Sequence, residues 1–271
     1  MSGDILYCVK GPKNLFEMTW PEVEEALRKT DVVILPIGST EQHGLHLPLG
    51  SDTIQGDDLA KRVVYKLSKE DIMVVAAPSI PFGISEHHMR FPGSITLTTK
   101  TLIAIIREVC HSLYRHGFRK FVLLLSHGGN LKTLNLAAQA LTIEMRDAIF
   151  IVPDWLPVMY SHYKDVLKSD RYQDEHHSGE AETARMLAST PNLVELEKAQ
   201  IYYSKEEDNP YRKKPYPGSV AVATLLKDQK TATPIGSQGN PLIATAETGE
   251  KLYDISAEWI CDVIKFEFFE K

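Results

Sequence analysis

Four apolar runs, each followed by a segment of helical periodicity, constrain this chain more than any other feature. They are DVVILPIGS (31–39), IMVVAAPSI (72–80), KFVLLLSHGGN (120–130) and AIFIVPDW (148–155). Their apolar parts are continuous rather than alternating, which predicts strands buried on both faces. Between them the spacing predicts helices over 53–70, 99–117, 131–147 and 179–190. In the first, Leu59, Val63 and Leu67 share one face at i, i+4 and i+8. Gly117 is placed to stop the second. The final segment, AEWICDVIKFEFFEK, is long enough for a closing helix. Strand–helix alternation of this kind gives an α/β fold with a mostly parallel sheet and helices on both faces.

The chain has 271 residues, within reach of one large α/β domain, so a single domain over 1–271 is expected. The segment 200–245 is rich in Pro, Gly and charge and reads as ordered loops rather than a linker. A formal net charge of −6 argues against a nucleic-acid partner, which needs a basic face. The start of the chain lacks the charged and apolar regions of a signal peptide, and no apolar run approaches a membrane span. Cys8, Cys110 and Cys261 are too scattered for a disulfide framework or a thiolate zinc site. Together these predict a cytoplasmic protein with no membrane partner.

Polar residues directly behind buried strands are where ligands bind in open α/β sheets. After the strand 31–37 come Glu41 and His43, two positions apart and on one side of an extended segment. Asp52 follows a loop that could fold back. Two carboxylates and an imidazole suit Zn²⁺, Mn²⁺ or Fe²⁺; a polar turn capping backbone groups is the bland alternative. In SHGGN (126–130), His127 precedes two glycines that permit a tight turn, and Asn130 could cap the next helix. In DEHHSGEAET (174–183), His177 and Glu180 are at i, i+3, one face of a helix that starts early, and Glu182 would point elsewhere. Glu86 and His87 sit in a loop before a Phe-Pro-Gly turn and serve either structure or a substrate pocket. Trp155 could wall a pocket or fill the core. The basic run Arg212, Lys213 and Lys214 reads as a solvated loop, with a phosphate contact as the alternative.

Other chemistries lack their signatures. There is no G-x-S-x-G elbow, no Walker loop and no dinucleotide glycine fingerprint. Cys110 falls inside a predicted helix, which disfavours a cysteine nucleophile.

Four motifs, PIGSTEQHGLHLPLGSDT, SEHHMRFPGSITL, SHGGN and HHSGEAET, occur in an order that resembles the creatininase (creatinine amidohydrolase) family. The resemblance runs from residue 36 to 183 and is extended by GNPLIATAETGEKL. It implies a three-layer α/β/α fold, a hydrolytic site with two divalent ions, zinc foremost and manganese or iron as alternatives, and a homohexamer. It implies Glu41 and His43 as ligands to different ions and Asp52 as the bridge. His127 would complete the first site and Glu180 the second. His177 matches the family's catalytic histidine. Glu86, His87 and Trp155 remain substrate-contact candidates on their own positions rather than from the resemblance. His46 matches no ligand position. Gly129 stands where creatininase has a Glu, and the Trp before the His177 motif is missing; both argue against creatinine as the substrate. The expected reaction is hydrolysis of a carbonyl of a small cyclic amide or formamide. The alternatives are C–C hydrolysis of a cyclic inositol-derived diketone, deformylation of a phosphate-bearing formamidopyrimidine, and a non-catalytic binding or assembly module.

Overall fold

The computed structural model describes residues 14–203 and 233–270. Cys8 and the run Arg212–Lys214 lie outside the described residues. Four parallel strands, β1 (Val32–Ile37), β2 (Val75–Ala76), β3 (Lys120–Leu125) and β4 (Ile149–Ile151), form one sheet in the order β2-β1-β3-β4. β1 and β3 pair along their whole length, from Val32 opposite Lys120 to Ile37 opposite Leu125. Every residue of β1 is buried, as its unbroken apolar run requires. β2 is only two residues long, far shorter than the apolar run 72–80. Pro78, which lacks the N–H a ladder needs, interrupts the pairing, and Ile80 rejoins β1 through an isolated parallel bridge to Ile37.

Eight described α-helices cover the sheet: α1 (Trp20–Leu27), α2 (Ser51–Ser68), α3 (Thr99–His116), α4 (Leu131–Glu144), α5 (Leu156–Ser161), α6 (Tyr163–Val166), α7 (Glu180–Ser189) and α8 (Ala246–Phe268). Successive side chains of a strand point to opposite faces, and here they feed two separate cores. Val32, Ile34, Val122 and Leu124 pack with α2 and α8 through Leu59, Val63, Leu252 and Ile260. Val33, Leu35, Phe121 and Leu123 pack with α3 and α4 through Leu102, Ile106, Leu134 and Leu141. The result is the expected α/β/α arrangement. Each fully buried Leu or Ile contributes about 1.5–3 kcal/mol, so the two cores outweigh the polar ends of the strands.

Helix boundaries follow local chemistry. The Thr98 side chain caps α3, accepting from the Thr101 N–H at 3.2 Å, and Gly117 ends it in a left-handed conformation with φ 117°. α2 begins at Ser51, two residues earlier than the periodicity predicts, so Asp52 sits in its first turn. A carboxylate there faces the positive end of the helix. α8 extends eleven residues further toward the N-terminus than the predicted closing helix, because Thr245 caps it by accepting from Thr248. No described helix is long and apolar enough to cross a membrane.

Candidate metal centre

The carboxyl ends of the strands converge on one cavity of about 240 Å³. Glu41 and His43 lie on the loop after β1, His87 and His88 on a 3-10 turn after β2, and His127 directly after β3. Trp155 follows β4, while His177 and Glu182 flank the start of α7. Asn130 locks three of these loops together. Its side chain accepts from the Ile84 N–H at 2.9 Å and donates to the carbonyls of Ile37 and Gly38 at 3.2 and 2.9 Å. Although it stands at the start of α4, its side chain makes no cap, so the predicted capping role gives way to this brace.

Asp52 lies between two histidines. Its Oδ1 is 3.3 Å from His43 Nε2, and its Oδ2 is 3.1 Å from His127 Nδ1. Each imidazole has its other nitrogen held by backbone: His43 Nδ1 donates to the Glu41 carbonyl at 3.0 Å, and His127 Nε2 donates to the Ile84 carbonyl at 3.0 Å. A backbone carbonyl thus fixes each tautomer, and the remaining nitrogen turns its lone pair on carboxylates. That outer-sphere arrangement typifies metal-binding imidazole. Glu41 Oε1 completes one side, 3.4 Å from His127 Nδ1. Glu182 Oε2 completes the other, 3.9 Å from His43 Nε2. Glu41 with His87 and His127, and His43 with Asp52 and Glu182, form two groups whose donor atoms are close enough to share an ion.

His43 Nε2 and Asp52 Oδ2 are buried and have no hydrogen-bond partner. Orphaned polar atoms of this kind cost stability unless something pairs them. Oxygen and imidazole donors in this set suit Zn²⁺ or Mn²⁺, and a divalent ion on each side of Asp52 would satisfy both atoms. Without ions, protons take that place. Burial lowers the pKa of His43, but Asp52, Glu182 and Glu41 outweigh it and raise the value to about 10. Burial likewise lowers that of His127, and Glu41 and Asp52 raise it to about 9. Burial and the Asp52 charge push Glu41 up, but His127, His88 and His43 prevail and hold it at about 2.

His177 packs against His43 with the rings tilted by 41° and their centroids 4.4 Å apart. Its Nε2 donates to the Gln42 carbonyl at 2.7 Å, which leaves Nδ1 facing Glu182 Oε2 at 3.9 Å. Burial and then the positive charge of His43 pull its pKa down to about 4, so it is neutral near pH 7.

The structure departs from the sequence reading at three residues. Glu180 does not face the cavity; its carboxylate accepts from the backbone N–H groups of Lys168 and Ser169 at 2.7 and 2.8 Å. The helix that would have aligned it with His177 starts only at Glu180. Ser178, in a left-handed conformation with φ 55°, reverses the chain ahead of it. Glu182, expected to point elsewhere, returns to accept from the Ser178 N–H at 2.6 Å and reaches His43. The cap of this helix is Gly179, which has no side chain to complete a capping box, so no local sequence signal singled out Glu182. Glu86 is exposed and does not line the cavity, because the 3-10 turn aims His87 and His88 inward instead. The sequence reading also missed His88, whose Nε2 lies 3.2 Å from Glu41 Oε1.

His87 lines the cavity and stacks on His127 at 6.0 Å. Trp155 is both core and wall: it is buried, its Nε1 donates to the Leu125 carbonyl at 2.7 Å, and it borders the cavity. His46 is buried with Nε2 2.9 Å from Thr183 Oγ1 and does not border the cavity. A Cβ at Gly129 would press on His127 Nε2 and lie 2.7 Å from the Ile84 carbonyl, so a side chain there would force one of them to shift.

Several known proteins resemble this chain. A mycofactocin precursor peptide peptidase of Mycobacterium tuberculosis H37Rv is 30% identical over 227 residues, covering 82% of this chain and 79% of that protein. A creatinine amidohydrolase of Pseudomonas putida is 26% identical over 93% of this chain and 96% of its own. A 3-dehydro-scyllo-inosose hydrolase of Thermotoga maritima is 30% identical over 66% of this chain and 57% of its own. Among solved structures, a Bacteroides fragilis protein assigned to creatinine amidohydrolase superposes with a TM-score of 0.80 at 30% identity, covering 93% of this chain and 94% of its own. A manganese form of creatininase superposes with a TM-score of 0.75 at 25% identity, covering 95% and 100%. The creatininase (creatinine amidohydrolase) family profile matches residues 16–264, and the chain belongs to that family.

Proposed function

We propose that this protein is a metal-dependent hydrolase of a small amide, a cyclic amide or a formamide, with Asp52 bridging two divalent ions. One observation carries the reading: two imidazoles, each with one nitrogen tied to a backbone carbonyl, aim the other at opposite oxygens of the same buried carboxylate. In this reading Glu41, Asp52 and His127 hold one ion, and His43, Asp52 and Glu182 the other. Zinc is the first choice on donor chemistry, and the manganese form of a relative keeps manganese open. Two such ions supply an activated water and a polarised carbonyl at neutral pH.

The chain's own residues do the rest. His177, neutral and held through Nε2 by the Gln42 carbonyl, accepts a proton at Nδ1 and delivers it to the departing nitrogen, as a general base and then acid. His88 donates to Glu41, fixing the carboxylate that faces His127. Trp155, anchored through its indole N–H, walls the cavity and excludes water from one side. The Thermotoga relative supports a second reading, C–C hydrolysis of a cyclic ketone, in which the same Nδ1 would protonate carbon. A homohexamer, the assembly implied by the family resemblance, is the expected oligomer and is checked by light scattering.

The test is a hydrolysis screen of zinc- and manganese-loaded protein over small cyclic amides, formamides, short peptides and inositol-derived ketones. Amide hydrolysis that chelator removes and metal restores supports the reading. Turnover of ketones alone transfers it to C–C cleavage, and no chelator-sensitive turnover of any substrate contradicts it.

A further inference from the structure

The cavity holds a buried cation that the reaction above does not use. Arg185, on α7 one turn after Glu182, is 5% exposed and borders the cavity. Its Nε is buried without a hydrogen-bond partner. Its ion pair with Glu182 is loose, with Nη2 3.9 Å from Oε1, beyond hydrogen-bond reach. The guanidinium otherwise rests near the Trp155 ring, 5.3 Å from its centroid, and that ring is pinned by its bond to the Leu125 carbonyl. A buried guanidinium that leaves donors unpaired is costly. It is worth keeping where an incoming group completes it.

Glu182 is not that group. Its Oε2 faces His43 and His177, so in the reading above its charge is committed to an ion. The geometry points to Arg185 as the recognition residue for a carboxylate on the substrate. The planar fork of Arg matches a carboxylate in two parallel bonds. The phenols of Tyr160 and Tyr163 line the same wall and could donate to it as well. A monoanion suits the site better than a phosphate dianion, since Glu41, Asp52 and Glu182 already crowd the cavity with negative charge. One Glu182 carboxylate spans the gap from Arg185 to His43. The substrate therefore needs only a few atoms between its scissile carbonyl and its carboxylate, in keeping with a cavity of about 240 Å³.

This inference rests on the metal-centre reading, and the test separates the two. Acetohydroxamate, a neutral metal-binding probe, is compared with the monohydroxamates of malonate and succinate on the zinc-loaded protein by titration calorimetry. At least one carboxylate probe should bind about 10- to 100-fold tighter than acetohydroxamate, the worth of one charge-assisted pair. In Arg185→Met that preference should fall to about one, while acetohydroxamate affinity moves less than about threefold. Arg185→Lys, which keeps the charge but loses the fork, should retain part of the preference. It carries the test if the Met variant melts too low to assay. Wild-type protein that binds all three probes equally overturns the carboxylate and leaves the metal centre standing. A preference that survives in both variants removes Arg185 from the role. Zinc-loaded protein that binds no hydroxamate overturns the metal centre and this inference with it.

Discussion

His43 Nε2 lies 3.3 Å from Asp52 Oδ1 and still has no hydrogen-bond partner. A divalent ion held by the imidazole and the carboxylate would satisfy both atoms. The same carboxylate turns its other oxygen to His127. Several consequences of this arrangement can be measured.

Glu182 and Glu180 separate two ligand sets. Glu182→Gln should lower metal retention and reduce turnover by about 100-fold or more, given that even outer-sphere partners of a metal ligand cost 10- to 100-fold. Glu180→Gln should keep its metal. It should lose stability instead, because it weakens a charged acceptor for two backbone N–H groups, at about 1–3 kcal/mol. Metal content by mass spectrometry and denaturant unfolding of both variants check this; metal loss in the Glu180 variant alone would reverse the assignment.

Much of the fold was legible from the sequence because unbroken apolar runs and 3.6-residue periodicity are local signals. β1 and β3, with α3 and α4, lie close to their predicted positions. β2 is only two residues long because Pro78 breaks the ladder, and Ile80 beyond it returns to β1 only as an isolated bridge. At the site, Glu41, His43 and His127 follow strand ends, where the sheet aims them inward, and Asp52 sits in the first turn of the helix after β1. Glu182 was hidden because its direction depends on a left-handed Ser178 and on where α7 begins. His88 was hidden because only the 3-10 turn tells it apart from Glu86. Arg185 reads from sequence as one more charge on a helix, and only tertiary packing buries it.

Asn130→Ala should cost about 1.5–4.5 kcal/mol, three hydrogen bonds, two of them buried, at roughly 0.5–1.5 kcal/mol each. Because that side chain ties Ile84 to Ile37 and Gly38, the loss should come with weaker metal binding. Urea unfolding of the metal-free and metal-loaded variant measures both. A stability loss with unchanged metal affinity would mean that the brace does not position the centre.

Gly129→Ala should disturb His127 first. The added Cβ would meet both Nε2 of that ring and the Ile84 carbonyl that holds it, and overpacking of this kind costs about 1–3 kcal/mol. Metal binding should fall more than overall stability, as shown by comparing metal titrations with melting temperatures. A variant with wild-type metal affinity would show that the ring can shift freely.

Metal and protons compete for the same atoms, which sets a pH dependence. In the metal-free chain His43 and His127 keep their protons up to about 10 and about 9. Their contribution to stability is complete below the ordinary histidine value of about 6.5 and is lost as pH rises through the raised values. Glu41, held at about 2, contributes above the ordinary glutamate range and loses that contribution as pH falls toward about 2. Metal-free protein should therefore be most stable between about pH 5 and 6.5. Metal must displace the histidine protons, so its stabilisation should grow with pH. The rise in melting temperature on adding zinc should be larger at pH 8 than at pH 6; an equal rise at both would mean that these histidines are not ligands.

The most direct test of the central claim is metal stoichiometry in wild-type protein and Asp52→Ala, reconstituted with zinc, desalted and measured by plasma mass spectrometry. A shared bridging carboxylate predicts about two ions per chain in the wild type, as in two-metal hydrolytic sites. It predicts loss of both ions together in the variant, with the fold intact by circular dichroism. Wild-type protein with no more zinc than a chelator-treated control, or a variant that keeps both ions, would contradict it.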